Sequence, residues 1–206
     1  KWVLMTADGQ VALAHGTRRN APPEELAAAL VQEWTKCDGV PAQAAYGCAV
    51  TSPPQMRAIE QAVRQTFAVP VHWLETQSRF EHGGVVLRNG YRDCTQLGVD
   101  RWHSLIAARA AHPARSLVVV TAGTATTVDG VTIDGSFIGG AIAPGVRLMY
   151  EALAKGTARL SVSRGRVVAY PDNTDDAIAS GVLGSQLGLI ERFVRSFRVE
   201  HGAPLV

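Results

Sequence analysis

The sequence predicts an α/β protein built from two units that each mix strands and helices. Apolar runs of strand length alternate with stretches of helical periodicity along the whole chain. In the second half, three strand-like runs follow one another with only turn residues between them, and a helix comes next. The composition supports a sizeable core: 206 residues, 47% hydrophobic and 18% charged.

Residues 1–5 and 10–14, with Asp8-Gly9 between them, read as a hairpin. Pro22 and Pro23 open a helix that continues over 24–34, with Leu26, Leu30 and Trp34 on one face. Residues 44–50, ending at Val50, form a buried strand. Ser52 is placed to cap the helix that Pro53-Pro54 starts, whose Met56, Ile59, Val63 and Phe67 point inward. Residues 69–74 are another strand. Residues 75–99 lack strong periodicity and read as a long functional loop, with a mobile flap over a site as one use for residues 75–90. A helix over 100–112 carries the stripe Trp102, Leu105, Ile106 and Ala110. Strands over 116–121, 124–133 and 137–142 follow, with an Asp134-Gly135 turn, and Pro144 opens the next helix. This is a ribonuclease-H-like order. The last helix, from 175 to 197, turns Ile178, Val182, Leu187, Ile190, Phe193, Val194 and Phe197 toward the core. Gly181, Gly184 and Gly188 lower its helix propensity and suit close packing, including against another subunit. The break falls near residue 113, giving expected domains 1–113 and 114–206. Lys1 opens the chain inside an apolar run and Pro204-Leu205-Val206 closes it like a strand, so both natural ends are expected to lie outside it.

A formal charge of +2 with both signs interspersed gives no nucleic-acid footprint; the nearest candidate is Arg164 with Arg166. Cys37, Cys48 and Cys94 are scattered, with no Cys-x-x-Cys pair, so neither a disulfide framework nor a zinc site is indicated and a reducing, cytoplasmic setting is expected. No apolar run is long enough to span a membrane.

Four stretches carry possible chemistry. In 121–129, Gly123 permits tight backbone geometry near a phosphate, and Thr124, Thr126 and Thr127 offer hydroxyls, although a plain threonine-rich hairpin has the same composition. In 139–145, Gly139-Gly140 lets two backbones pass closely, and Pro144-Gly145 starts a helix whose N-terminus could face an anion. In 91–102, Asp100 stands in the first turn of a helix, where the dipole favours a carboxylate, and could accept an alcohol proton during attack on phosphorus. Arg101 beside it could grip a carboxylate through two parallel hydrogen bonds. In 172–176, Thr174 reads as an N-cap, with acids in the first turn.

Taken in order, Tyr91…Gly98-Val99-Asp100-Arg101-Trp102, Gly123-Thr124-Ala125-Thr126-Thr127, Gly139-Gly140…Pro144-Gly145 and Asn173-Thr174…Gly181 resemble the type III pantothenate kinases. Lys1-Trp2 resembles the end of that family's N-terminal phosphate motif. The resemblance implies an actin-like ATPase fold of two ribonuclease-H-like domains and a homodimer with the substrate pocket near its interface. It implies ATP-dependent phosphorylation of pantothenate to 4'-phosphopantothenate, the first step of coenzyme A biosynthesis. It also implies Mg²⁺ or another divalent cation, and a monovalent cation such as K⁺ or NH₄⁺. Asp100 matches the general base; Tyr91, Gly98, Val99, Asp100, Arg101 and Thr174 match pantothenate contacts; Gly123, Thr124 and Lys1 match the ATP site.

The sequence departs from the family at Thr121, where an acid helps to hold the monovalent cation, so weak or absent K⁺ activation is expected. The rest of the N-terminal phosphate motif also lies outside the chain. Two other readings stay open: a kinase of the same fold acting on another hydroxy acid, and a non-catalytic ATP-binding regulator.

Overall fold

In the computed structural model, residues 1–18, 21–37, 41–49, 51–156 and 165–206 are described. They form a mixed α/β protein that divides into two units, residues 1–75 with 98–100 and residues 76–97 with 101–206. Val50 and Arg164, both part of the sequence expectations, lie outside the described residues.

In the first unit, β1 (Trp2–Met5) pairs antiparallel with β2 (Ala12–Gly16). Gly9 takes a positive φ of 69° in the connecting turn, as the Asp-Gly signal predicts. Helix α1 (Pro23–Trp34) starts on a proline and carries Glu24 and Glu25 in its first turn, where they complement the helix dipole. Its Leu26, Leu30 and Trp34 meet Ala62 and Val63 of α2 (Pro53–Phe67) to form the core of this unit. Trp34 packs edge-on against Trp2, with ring centroids 6.2 Å apart, and against Phe67 at 5.6 Å. Ser52 occupies the N-cap position of α2, but its side chain makes no capping hydrogen bond. Ala58 and Ala62 are the buried small residues of α2, while Met56 is only half-buried. Strands β3 (Ala45–Gly47) and β4 (Val71–Trp73) pair in parallel.

The second unit is organised by a five-stranded sheet in the order β5-β6-β9-β8-β7. The expected loop over 75–99 is largely structured. It contains β5 (Arg79–His82), β6 (Val85–Asn89) and a 3₁₀ turn over Cys94–Gln96. Gly83 and Gly84, with φ of 57° and 80°, make the tight β5–β6 connection. These residues are therefore a sheet hairpin and not a flap. The strands are short and mostly charged on their outer side, so they left no period in the sequence. Strand β6 pairs in parallel with β9 through Arg88–Ser136 and Asn89–Phe137. That pairing ties residues 76–97 to the C-terminal unit.

Strands β7 (Leu117–Ala122), β8 (Ala125–Val131) and β9 (Ser136–Pro144) form the expected antiparallel set, followed by α4 (Val146–Gly156). On one face of the sheet, α3 (Val99–Ala111) packs Trp102 and Leu105 against Leu87, Leu97, Leu117, Val131 and Phe137. Ala110, expected in that stripe, is exposed; Arg109 is buried instead and donates to the carbonyls of Arg115 (3.1 Å) and Ile133 (2.6 Å). On the other face, α5 (Thr174–His201) packs Phe197, Phe193, Ile190 and Val194 against Val118, Val120 and Val128. Gly130 makes room for Phe197, whose ring lies 2.9 Å from where a β-carbon would stand. Leu187 does not face the core as expected: it is 49% exposed, and Gln186 takes the buried position. Leu205 pairs in parallel beside β7, giving and taking hydrogen bonds with Ser116 and Val118 at 2.9 and 2.8 Å.

Candidate active site

The β7–β8 turn leaves Thr121, Gly123 and Thr124 exposed to solvent. The Gly123 amide donates to the Ala125 carbonyl at 3.0 Å and so closes the hairpin. The Thr124 carbonyl accepts from the Gly145 amide at 2.9 Å, which fastens the turn to the start of α4. A β-carbon on Gly145 would overlap the Gly123 carbonyl, so this junction demands glycine. One strand position on, Thr126 donates to Gln186 Oε1, and Gln186 Nε2 donates to the Pro144 carbonyl at 3.1 Å. A single buried amide therefore ties α5 to both the hairpin and the entry of α4.

The side of β8 that faces α3 is different. Alternation along the strand places Thr127 and Asp129 on this side. Asp129, 2% exposed, receives two parallel hydrogen bonds from Arg101, one from Nε at 3.2 Å to Oδ2 and one from Nη2 to Oδ1. Arg101 is 7% exposed, and its Nη1 donates to the Tyr91 hydroxyl at 3.2 Å. Its guanidinium carbon lies 5.7 Å from the centre of the Tyr91 ring and 5.9 Å from that of Phe137. Burial works against the Arg101 charge, but the bonds with Asp129 and Tyr91 outweigh it and raise its pKa. Gly140 lies opposite Asp129 in the β8–β9 ladder. A β-carbon there would overlap Asp129 Oδ1 and come within 2.8 Å of Arg101 Nη2, so Gly140 makes room for the ion pair. Thr127 is 8% exposed, and its hydroxyl has no hydrogen-bond partner among the described residues.

The fork that could grip a substrate carboxylate is occupied by Asp129, and the edge carrying Nη1 is shared with Tyr91. Asp129 closes the threonine-rich run 121–129 and belongs to no motif of its own. The available signal was an acid between buried strand residues, since a buried carboxylate needs a partner.

Asp100, the residue before Arg101, is exposed in the first turn of α3. Its carboxylate folds back over Gly98, where a β-carbon would lie 2.7 Å from Oδ1. Nearby Cys48 has its thiol pKa pushed up by burial and by the negative charge of Asp100. Val99 is half-buried at the start of the helix, and Lys1 is exposed beside β1 in the first unit.

Thr174 stands apart from this cluster, at the exposed start of α5. It is not the N-cap: Asn173 is, accepting from the Asp176 amide at 3.0 Å, because a cap bonds the third residue of the helix. The Asp176 carboxylate accepts from the Arg166 amide at 2.7 Å and the Asn173 side chain at 3.0 Å, and these bonds lower its pKa. Among the described residues no group of three His, Cys, Asp or Glu side chains could hold a metal ion. No helix among them is long and apolar enough to cross a membrane.

The family model for type III pantothenate kinase matches residues 1–196. The chain belongs to the type III pantothenate kinases. A type III pantothenate kinase of Azoarcus sp. (strain BH72) is 38% identical over 192 residues, covering 93% of this chain and 68% of that protein. One from Paracidovorax citrulli is 39% identical over 202 residues, covering 95% and 75%. One from Aromatoleum aromaticum is 48% identical over 146 residues, covering 71% and 58%. Among solved structures, a Campylobacter jejuni protein described as a Baf family transcriptional activator superposes with a TM-score of 0.50 at 23% identity. It covers 78% of this chain and 67% of that one, and at this identity the likeness is one of fold alone.

Proposed function

We propose that this kinase phosphorylates pantothenate through Asp100 as general base, with Tyr91 and Arg101 orienting the acceptor. The family's reaction is the ATP-dependent conversion of pantothenate to 4'-phosphopantothenate, the first step of coenzyme A biosynthesis. The observation that carries the site reading is the Tyr91–Arg101–Asp129 cluster, whose Arg101 follows Asp100 in the first turn of α3.

The primary hydroxyl of pantothenate attacks the γ-phosphorus in line. Its oxygen forms the new bond, the bond to the β-phosphate oxygen breaks to release ADP, and the hydroxyl proton passes to the Asp100 carboxylate. Tyr91 and Arg101 meet the substrate as pre-set hydrogen-bond donors, because Asp129 already balances the Arg101 charge. Gly98 and Val99 shape the wall beside Asp100, and Thr174 is a further pantothenate contact. Thr124, with Gly123 and Lys1, serves ATP. If a divalent cation were bound with ATP, it would supply charge neutralisation for the transferred group.

Each unit is one domain of a two-domain actin-like ATPase fold. The order β9-β8-β7 followed by Leu205 running parallel to β7 supports a ribonuclease-H-like second domain. The kinase is a cytoplasmic homodimer with its pantothenate pocket near the interface. Supporting this, Leu183 and Leu187 are exposed on α5 beside Gly181, Gly184 and Gly188, which have open space around them.

The deciding experiment is ADP release by the full-length protein supplied with ATP, Mg²⁺ and pantothenate. Release that depends on pantothenate supports this reading. Release with a different hydroxy acid alone points to a sister kinase, and ATP binding without turnover points to a regulator.

A further inference from the structure

We infer that Asp129 is a positioning residue for the phosphoryl acceptor, acting through Arg101 and not by touching substrate. The inference rests on the reading that Arg101 contacts pantothenate.

Asp129 is 2% exposed, too enclosed for a substrate to reach. Its two oxygens take Nε and Nη2 of Arg101 together, a pairing that sets the plane and rotation of the guanidinium as well as its place. The Tyr91 and Phe137 rings lie beside that plane, and the Tyr91 hydroxyl takes Nη1. Gly140 leaves room for this one arrangement, because any β-carbon there would run into both charged groups.

Stability alone does not account for the pair. Around it, Leu117, Val131, Phe137, Trp102 and Leu105 form a continuous apolar core. A buried ion pair in such a place is commonly no better than apolar side chains of the same volume, because both charges must be stripped of water. What the pair supplies that packing cannot is a guanidinium edge held in one orientation. Small displacements of a group that positions a reactant are costly: about 1 Å lowers rates by about a hundredfold.

The test compares Asp129→Glu, Arg101→Lys and the double variant in the full-length enzyme. Asp129→Glu keeps the buried charge balanced but moves the carboxylate outward by one methylene. It is expected to raise the pantothenate KM about tenfold or more while the ATP KM stays within about twofold. Arg101→Lys is expected to raise the pantothenate KM as well. The double variant should match Arg101→Lys alone, because two residues acting through one contact are not additive. If Asp129→Glu does not fold, Gly140→Ala, which leaves both charges in place and displaces them, should show the same selective rise. A pantothenate KM unchanged in Asp129→Glu but raised in Arg101→Lys would overturn the inference and leave the Arg101 reading standing. An unchanged KM in Arg101→Lys would overturn both.

Discussion

The two faces of the five-stranded sheet use the same strands for opposite purposes. Toward α5, β7 and β8 present Val118, Val120 and Val128, and the helix answers with Phe193, Val194 and Phe197. A polar pair on that side, Thr126 with Gln186, is closed on itself and on the Pro144 carbonyl. Toward α3, the same strands begin with an apolar core at Leu117 and Val131. They then turn polar, through Asp129 and Thr127 to the exposed Thr121. Both faces hold the sheet together, and the α3 face in addition carries a buried ion pair and a hydroxyl with no partner among the described residues. Which side of β8 a residue faces decides whether its polar group is closed into packing or set beside the proposed site.

The sharpest way to break this comparison is at α3. Asp100→Asn should lower turnover by roughly two to four powers of ten, the usual range for a lost general base, with the melting temperature unchanged. Turnover near that of the wild type would remove Asp100 from its role. On the other face, Phe197→Ala should destabilise the protein by about 3–5 kcal/mol in denaturant titrations. The pantothenate KM of the folded fraction should hold, and a selective rise would show that the faces are coupled. At the start of α5, Asp176 has a lowered pKa, first because of the Arg166 amide and then the Asn173 side chain. Its stabilisation is full above its ordinary value of 3.8 and is lost as pH falls through the depressed folded value. The stability gap between wild type and Asp176→Asn should therefore be widest at neutral pH and close in acid; a gap independent of pH would contradict this. Thr127→Val, which removes a buried hydroxyl with no partner among the described residues, should raise stability by about 1 kcal/mol. A fall would show that a water satisfies the hydroxyl in solution. The smallest effect expected is that of K⁺, since a neutral Thr121 replaces an acid: a strong rise in turnover on adding K⁺ would count against that reading.

What was legible in the sequence follows from how each signal is encoded. The run from Gly98 to Trp102 was readable because its residues are contiguous and their types unusual together. The β7–β8–β9 order was readable because long valine-rich strands and an Asp134-Gly135 turn have a strong local signature. The partner of Arg101 was not, because Asp129 is 28 residues away and strand register decides which side it faces. The β5–β6 hairpin escaped because its pairing with β9 is tertiary. Helix α5 was misjudged at one position because a glutamine was not expected in a core; Gln186 is tolerated there since Thr126 and Pro144 satisfy it.

The hairpin that replaced an expected loop also decides how the sheet ends. Its outermost strand, β5, turns Phe80 toward the core and lines the opposite side with Arg79 and Glu81, which are ion-paired. An unpaired strand edge invites another chain to continue the ladder, and charged side chains are among the devices that discourage it. By ending in a short, charged strand, the kinase carries protection against edge-to-edge aggregation on the side of the sheet away from the β7–β8 hairpin.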